Sequence, residues 1–414
     1  MSTVRPFKAL RPVKNYAQEF SCPPYDVLEE NEVKQIVQEY PNSFLRVTRA
    51  EVEFKDGADP HSDVVYKKAA ENIKMFEKTG VLIEDEKRCF YLYRETWKGR
   101  TQTGLFATFS IDEYDKGLIK KHELTRQDKE DDRARHIITL EVQAEPIFLT
   151  FKSYPEIKEI LSLMIKKYDK LYEVTDSNGV LHEVWKVDSE TDVNLIEKSF
   201  KKVDCLYIAD GHHRAAASSR ARKQLMEKNP SHNGSEEYNF VMGAIFPDDE
   251  LRILDYNRVV KELNGMDSNE FLKKIEENFT VSFACEKPYS PKELHEIGMY
   301  LDKKWYSLKA KDHIISKTDA VKALDVSILQ EYLLCPVLGI ENPRKDPNIY
   351  FLGGIRGVGA LEDWIDEKKW KVAFSMYPTQ LSQLIQVADD GMIMPPKSTW
   401  FEPKLRSGLT IHKI

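Results

Sequence analysis

Residues 206–218, "LYIADGHHRAAAS", set an acid, a glycine, two imidazoles and a guanidinium side by side: Asp210, Gly211, His212, His213 and Arg214. An apolar run ends at Asp210, Gly211 permits a tight turn, and the alanines and straight-chain residues that follow propagate a helix. The order is strand, turn, helix N-terminus. Unpaired N–H groups and the helix dipole at such a terminus favour an anion, and His212, His213 and Arg214 would add donors to phosphate oxygens. A phosphate-binding turn is the reading this chemistry favours, with His213 expected to be cationic when a donor is bound. The plainer reading, Asp210 as a helix cap with the histidines on the surface, stays open. Metal ligation by the pair is disfavoured, because adjacent histidines in a turn diverge and no further ligand cluster accompanies them. G-x-x-x-x-G-K-[ST] is absent, so the turn is not a Walker loop.

Other groups suited to chemistry are scattered along the chain. "IKKHELTRQDKEDDRARHI" contains His122, Glu123, Asp128, Asp131, Asp132 and Arg133. Such a run is ordinarily the solvated face of a helix, and its carboxylates are equally suited to Mg2+ or its arginine to a donor phosphate. Lys397, Ser398 and Thr399 in "MPPKSTWFEPK" form a basic and hydroxylic group in an irregular segment, suited to phosphate or carboxylate oxygens; a Pro-rich loop packed by Trp400 and Phe401 is the alternative. Asp26 in "PPYDV" is either an Asx-turn former or a carboxylate aimed at a substrate ammonium. Arg49 and Glu51 in "LRVTRAEV" read as an exposed strand edge or an active-site wall, and Arg258 in "DYNRVV" as an anion clamp or an ordinary ion-pair partner.

The elements that must position these groups follow from periodicity. A strand over 7–10 precedes the Pro-rich "SCPPYDV" loop and an amphipathic helix over about 29–38. A turn "KDGADPHSD" leads to a helix over 64–78 that ends before Gly80. "CFYLYRETW" and "TGLFATFSI" alternate with period two and form a hairpin. A helix over 157–168, a hairpin with an Asn-Gly turn in "LYEVTDSNGVLHEVWKV" and a helix near 195–200 lead into the opening stretch. A helix runs from Arg214 to about Lys228, and "KNPSHNGSEEY" is the candidate linker or mobile loop. The last third alternates helices with short strands and ends in irregular "MIMPPKSTWFEPKLRSGL".

With 414 residues the chain exceeds the usual span of about 100–200 residues for one domain, so two or three domains, or one elaborated domain, are expected. Its 61 basic and 68 acidic residues are interspersed and give a net charge of −7, which excludes a global basic field for nucleic acid. Five widely spaced cysteines without a C-x-x-C pair disfavour a disulfide framework and a zinc site, and fit a reducing cytoplasm. No signal-like N-terminus and no window of about 18 apolar residues is present, so no membrane association is expected.

"ADGHHR" resembles the G-H-H-R motif of the ParB and sulfiredoxin superfamily, in particular of its free L-serine kinases. "CPPYDV", "HELT" with "EDDR" after it, "EPIFLTF", "ADGHHRAAA" and "MPPKSTWFEPK" together resemble domain-of-unknown-function family 1015 over nearly the whole chain. The resemblance implies an α/β (α+β) fold: a ParB/sulfiredoxin-like mixed core with N- and C-terminal α/β elaborations. The expected segments are 1–110, an N-terminal α/β region; 111–230, the catalytic core; and 231–414, a C-terminal region contributing to the site.

It also implies phosphorylation of the hydroxyl of free L-serine to O-phosphoserine, with inorganic diphosphate, ATP or ADP as donor and Mg2+ as cofactor. No helix-turn-helix is recognisable, and His212 stands where a sulfiredoxin has its catalytic cysteine, so neither relative's activity is expected. In the serine kinases a "HE" element lies ahead of the G-H-H-R turn; its counterpart is His122-Glu123, which makes Glu123 the expected base. Asp210–Arg214 with Lys397, Ser398 and Thr399 would bind phosphate, and Asp26, Glu51, Arg133 and Arg258 the substrate; no residue is assigned to a metal. The alternatives are a non-catalytic nucleotide-binding regulator and a phosphoester or diphosphate hydrolase. Oligomeric state is not readable.

Overall fold

The structure, a computed structural model, describes residues 2–54 and 58–414. The Lys55–Gly57 part of the expected "KDGADPHSD" turn lies outside the described residues. Two compact units divide the chain: residues 1–251 with 403–414 form the first, and 252–402 the second. The fold is mixed α/β in class, as expected.

The first unit is built on a nine-stranded mixed sheet. Its strands are β1 (Val4–Arg5), β2 (Phe90–Trp97), β3 (Arg100–Ser110), β4 (Ile119–Lys120), β5 (Ile147–Phe151), β6 (Lys170–Thr175), β7 (Leu181–Val187), β8 (Leu206–Asp210) and β9 (Phe240–Pro247). Their spatial order is β4-β8-β5-β9-β3-β2-β7-β6, with β1 paired on β3. The two hairpins arise where the sequence expects them. Lys98 and Gly99 both take left-handed φ, +48° and +75°, so a two-residue turn sets Trp97 opposite Arg100. In the second hairpin Asp176 Oδ1 accepts from the N–H groups of Asn178 and Val180, both at 2.8 Å, and fixes the Asn178-Gly179 turn.

Alternation along the strands buries Phe90 and Leu92, Leu105 and Ala107, Ile147 and Leu149, and Leu206 and Ile208 in one core. Helices α1 (Asp63–Lys78), α2 (Gln127–Leu140), α3 (Pro155–Lys167), α4 (Glu190–Phe200) and α5 (His212–Lys228) complete the unit's main elements. Ile157 and Leu161 of α3 and Ile196 and Phe200 of α4 cover that core. α2 and α5 meet through Ala134, Ile137, Ala217 and Ala221, small side chains that let two backbones come close. This contact sets the loop before α2 against the start of α5. A smaller four-stranded sheet orders Leu82–Glu84, Ala9–Pro12, Ile411–Lys413 and Val142–Gln143, so the strand Ile411–Lys413 lies between two from the first half of the chain.

The second unit carries a six-stranded antiparallel sheet in the order Phe279–Cys285, Lys304–Ala310, Glu296–Leu301, Val372–Met376, Tyr256–Val260, Ile349–Gly353. The helix Gly359–Lys368 packs Leu361 and Ile365 with Val259, Trp305 and Ala373.

These units replace the three segments expected from sequence. β9, expected in the third segment, pairs with β3 of the first and with β5 of the second, so neither 110/111 nor 230/231 separates anything. "KNPSHNGSEEY" is likewise no linker. His232 Nδ1 lies 2.8 Å from the Tyr238 hydroxyl, and Glu236 accepts from the N–H groups of Asn233 and Gly234. "LRVTRAEV" is a short helix, Leu45–Thr48, followed by a 3-10 turn, Ala50–Glu53, rather than a strand edge. Among the described residues no helix is long and apolar enough to cross a membrane.

Candidate functional site

β8 ends at Asp210, and Gly211 turns the chain into α5 with φ +92°. Any Cβ here would stand 3.0 Å from Arg214 Nε and 3.1 Å from its Cζ, so the guanidinium folds back over the bare glycine. α5 starts at His212, two residues earlier than the sequence indicates, and no side chain caps its N-terminus. Asp210 is therefore not the cap. Its Oδ1 accepts from the Gly211 N–H at 2.7 Å, and its Oδ2 from Lys404 Nζ at 2.8 Å. Burial alone would raise this carboxyl's pKa, but the charges of Lys404 and Arg214 outweigh it and hold the group well below the ordinary carboxylate range. Arg214 donates from NH1 to the Pro146 carbonyl. Burial disfavours its charge, and Glu145 and Asp210 more than restore it.

The two histidines do something other than expected. His213 Nε2 accepts from the Arg126 N–H at 3.2 Å, and His212 Nε2 faces the His122 N–H at 3.5 Å. Each ring thus pins the 122–126 loop to the start of α5, and an accepting Nε2 leaves the proton on Nδ1. Burial lowers both pKa values, most strongly for His212, where His122 adds to the effect. Burial thus works against a charge on either imidazole, and the turn's fixed positive charge comes from Arg214, with Lys404 beside Asp210.

Glu123 sits in that loop, at a bend ahead of α2 rather than inside a polar helix. Its Oε2 lies 3.7 Å from His212 Nδ1. His122 is 2% exposed, stands edge-on to His212 with ring centroids 4.5 Å apart, and lies beside the Ile208 backbone. Burial drives its pKa down to about 4.

The rest of the charge run is spent on neighbours. Asp128 pairs with Arg126; Glu130 and Asp131 pair with Arg220 of α5. Asp132 binds Arg133 Nε at 2.8 Å and His61 Nδ1 at 2.7 Å. Asp26, Glu51 and Arg133 come together on the wall of a cavity of about 350 Å³, with Tyr25, Arg49 and His136. Arg133 is buried and holds its guanidinium 4.7 Å from the centre of the Tyr25 ring. Glu51 pairs with Arg49 at 2.6 Å, and Arg49 NH1 donates to the carbonyls of Tyr25 and Leu28, which shapes the "PPYDV" loop. The Asp26 charge favours the cationic form of both His213 and Arg214, for His213 against the stronger effect of burial. Arg133 also lines a narrow cavity of about 30 Å³ with Arg214, Glu145 and Ser218. The two cavities therefore share Arg133 and His136.

Glu145 and Lys404 were missed in the sequence. Glu145 accepts from the Tyr25 N–H at 3.0 Å and from Ser407 Oγ at 3.2 Å, and burial raises its pKa against the pull of Arg214. Both residues stand inside the quoted motifs, in "EPIFLTF" and "MPPKSTWFEPK", which was the available signal.

Lys397, Ser398, Thr399 and Arg258 belong to the second unit. Arg258 is buried there, bonded to the carbonyls of Tyr256 and Lys397, and burial pulls its pKa down to about 10. Ser398 donates to the Pro395 carbonyl at 2.7 Å, and its own carbonyl accepts from Thr379. Lys397 Nζ lies 5.4 Å from the centre of the Tyr256 ring. These contacts brace a Pro-rich loop. Among the described residues no group of three His, Cys, Asp or Glu side chains is arranged to hold a metal.

Comparison with solved structures finds distant likenesses. A conserved hypothetical protein from Pyrococcus furiosus matches at 12% identity and a TM-score of 0.36, over 74% of this chain and 94% of that one. A free serine kinase in complex with AMP matches at 13% and 0.34, over 72% and 86%. SbnI with a C-terminal truncation, from Staphylococcus aureus, matches at 11% and 0.36, over 74% and 87%. Likeness this remote assigns neither activity nor residue roles. No curated protein matches the chain. The family model described as "Protein of unknown function (DUF1015)" matches residues 4–327, most of the sequence, and the chain belongs to that family.

Proposed function

We propose that this protein is a small-molecule kinase that transfers a phosphoryl group from inorganic diphosphate or an adenine nucleotide to the hydroxyl of free L-serine. The observation that carries the reading is the carboxylate of Glu123 beside an uncapped helix N-terminus with Arg214 and Lys404 at its head. Phosphoryl transfer asks little covalent chemistry of a protein: it needs a cradle for anionic oxygens, a held acceptor and a group to take the hydroxyl proton. In this reading the serine oxygen attacks the terminal phosphorus, a new P–O bond forms as the donor's bridging P–O bond breaks, and the serine proton passes to Glu123. The resemblance of "ADGHHR" and of the "HE" of "HELT" to free L-serine kinases supports the same roles.

The 350 Å³ cavity suits the acceptor. Arg133 offers a buried guanidinium for a carboxylate, and Asp26 an anion for an ammonium group. Mg2+ is kept as part of the proposal without a protein cage: a magnesium ion commonly takes most of its ligands from phosphate oxygens and water, so no residue is assigned to it. Five free cysteines support a reducing, cytoplasmic setting.

The test is a donor panel of diphosphate, ADP and ATP with L-serine, read by mass spectrometry of O-phosphoserine. Product from at least one donor is expected, and product from none would end the reading. Free phosphate released without serine would mark a hydrolase, and donor binding with no turnover a nucleotide-binding regulator. Glu123→Gln should lower kcat by about 10²–10⁴-fold with donor affinity kept.

A further inference from the structure

Arg133 follows Asp132 on α2, and consecutive residues of a helix do not ordinarily face each other. They meet here because Asp132 is held from α1 and the turn before it. Its Oδ1 accepts from the Tyr66 hydroxyl and stands 2.7 Å from His61 Nδ1, which leaves Oδ2 to take Arg133 Nε at 2.8 Å. One face of the guanidinium is fixed as well, 4.7 Å from the centre of the Tyr25 ring. Tyr25 is held through its backbone: its N–H donates to Glu145 and its carbonyl accepts from Arg49, each at 3.0 Å. Residues 403–407 form a strap across the start of the same loop. Ser407 exchanges backbone hydrogen bonds with Cys22, at 2.8 and 3.0 Å, its hydroxyl reaches Glu145, and the Arg406 guanidinium reaches Ser21 Oγ at 2.8 Å. With Nε on Asp132 and a face on Tyr25, Arg133 presents its remaining edge, and among the described residues neither NH1 nor NH2 makes a hydrogen bond. A guanidinium on a residue only 8% exposed thus keeps these N–H groups for the cavities it lines.

We propose that the 350 Å³ cavity selects acceptors with a free α-carboxylate, received end-on by NH1 and NH2 of Arg133, and that Asp132 is the positioning residue that aims them. The inference rests on the phosphotransferase reading and adds which acceptors it admits and what enforces the choice. The outer edge of a guanidinium matches a planar carboxylate with two parallel hydrogen bonds, and a group already fixed loses little freedom in making them. The rest of the wall favours an amino acid over the phosphate donor. Glu51 is paired with Arg49, so the carboxylate of Asp26 is left to attract an ammonium group and to repel a polyphosphate. Asp132, held by Tyr66 and His61, keeps Nε occupied, so a ligand meets the NH1–NH2 edge and not the side of the group. An amidated or esterified acceptor, a serine within a peptide included, offers Arg133 no carboxylate and is excluded.

The experiment compares L-serine with L-serinamide as acceptors for the full chain, each with diphosphate, ADP and ATP. The wild type is expected to favour L-serine in kcat/KM by about ten- to hundredfold, the worth of a charge-assisted hydrogen bond. Asp132→Ala should raise KM for L-serine more than it lowers kcat, leave KM for the donor unchanged, and shrink that preference about tenfold. A merely structural loss would slow both acceptors alike; an intact preference in Asp132→Ala would therefore overturn the role of Asp132 and leave the kinase reading standing. Wild-type chain that uses L-serinamide as well as L-serine would overturn the carboxylate grip, again without touching the kinase reading. No phosphorylated product from either acceptor with any donor would overturn both. Should Asp132→Ala not fold, Asp132→Asn, which keeps the shape and removes the charge, decides instead: a reduced preference supports the proposal and a wild-type preference refutes it.

Discussion

Gly211→Ala is the sharpest perturbation, because its cost can be worked out and compared with a control in the same chain. Two penalties are expected. The first is the left-handed backbone, φ +92° at Gly211, which costs an alanine about 1–2 kcal/mol. The second is the Cβ, which would come within 3.0–3.2 Å of three guanidinium atoms of Arg214. The end of an arginine can usually swing aside, but this one is bonded to Pro146 and lies between Glu145 and Asp210, so displacing it gives up a charged hydrogen bond worth about 1.5–3 kcal/mol. Gly80→Ala isolates the first penalty: φ there is +74° and nothing lies within 4 Å of the added carbon. Urea denaturation of the two variants should therefore show Gly211→Ala losing about 1.5–3 kcal/mol more than Gly80→Ala. Diphosphate affinity should fall in Gly211→Ala alone. Equal stability losses with unchanged affinity would refute the reasoning that glycine is present to admit Arg214.

Further outcomes follow from the buried titratable groups. His122 and His136 have pKa values lowered by burial to about 4 and about 3, against an ordinary value near 6.5 in the unfolded chain. As pH falls below 6.5 the unfolded chain takes up protons that the folded chain refuses, so this contribution to stability is full above pH 6.5 and is lost towards pH 4. Denaturation midpoints should fall across that window, and His136→Phe should flatten the decline; an unchanged slope would contradict a buried neutral His136. Brief alkylation of the native chain with iodoacetamide should label exposed Cys335 and spare Cys22 and Cys89, whose thiol pKa values burial raises to about 12 and about 11. Labelling of Cys22 as fast as Cys335 would mean that the Ser407 strap does not cover it.

What the sequence makes legible is what local chemistry decides. The Asn178-Gly179 hairpin, the helix expected over 64–78 and found as Asp63–Lys78, and the strand–turn–helix order around Gly211 all depend on residues within a few positions of one another. The misreadings have one cause. "FLRVT" has the β-branched look of a strand, yet Leu45 and Val47 are buried in the core beneath α1, and Asn72 of α1 bonds the Arg46 carbonyl. Lys404 and Asp210 are 194 positions apart, and nothing in either neighbourhood announces the other. The histidines were legible as residues of the turn but not as acceptors, since only the loop across from them supplies the N–H groups. Residues of the same motif can also belong to different units, as Lys397 and Lys404 do.

The four-stranded sheet has a consequence for how the chain is made. Its strand Ile411–Lys413 pairs with Ala9–Pro12 on one side and Val142–Gln143 on the other, and is synthesised after every residue of the second unit. While residues 252–402 emerge from the ribosome, the first unit waits with two unsatisfied strand edges facing each other across a gap. Open edges invite pairing with other chains. A nascent chain halted before Ile411 should thus be more prone to chaperone capture and aggregation than the finished one, and its anion turn should lack Lys404 whenever synthesis stops before the strap.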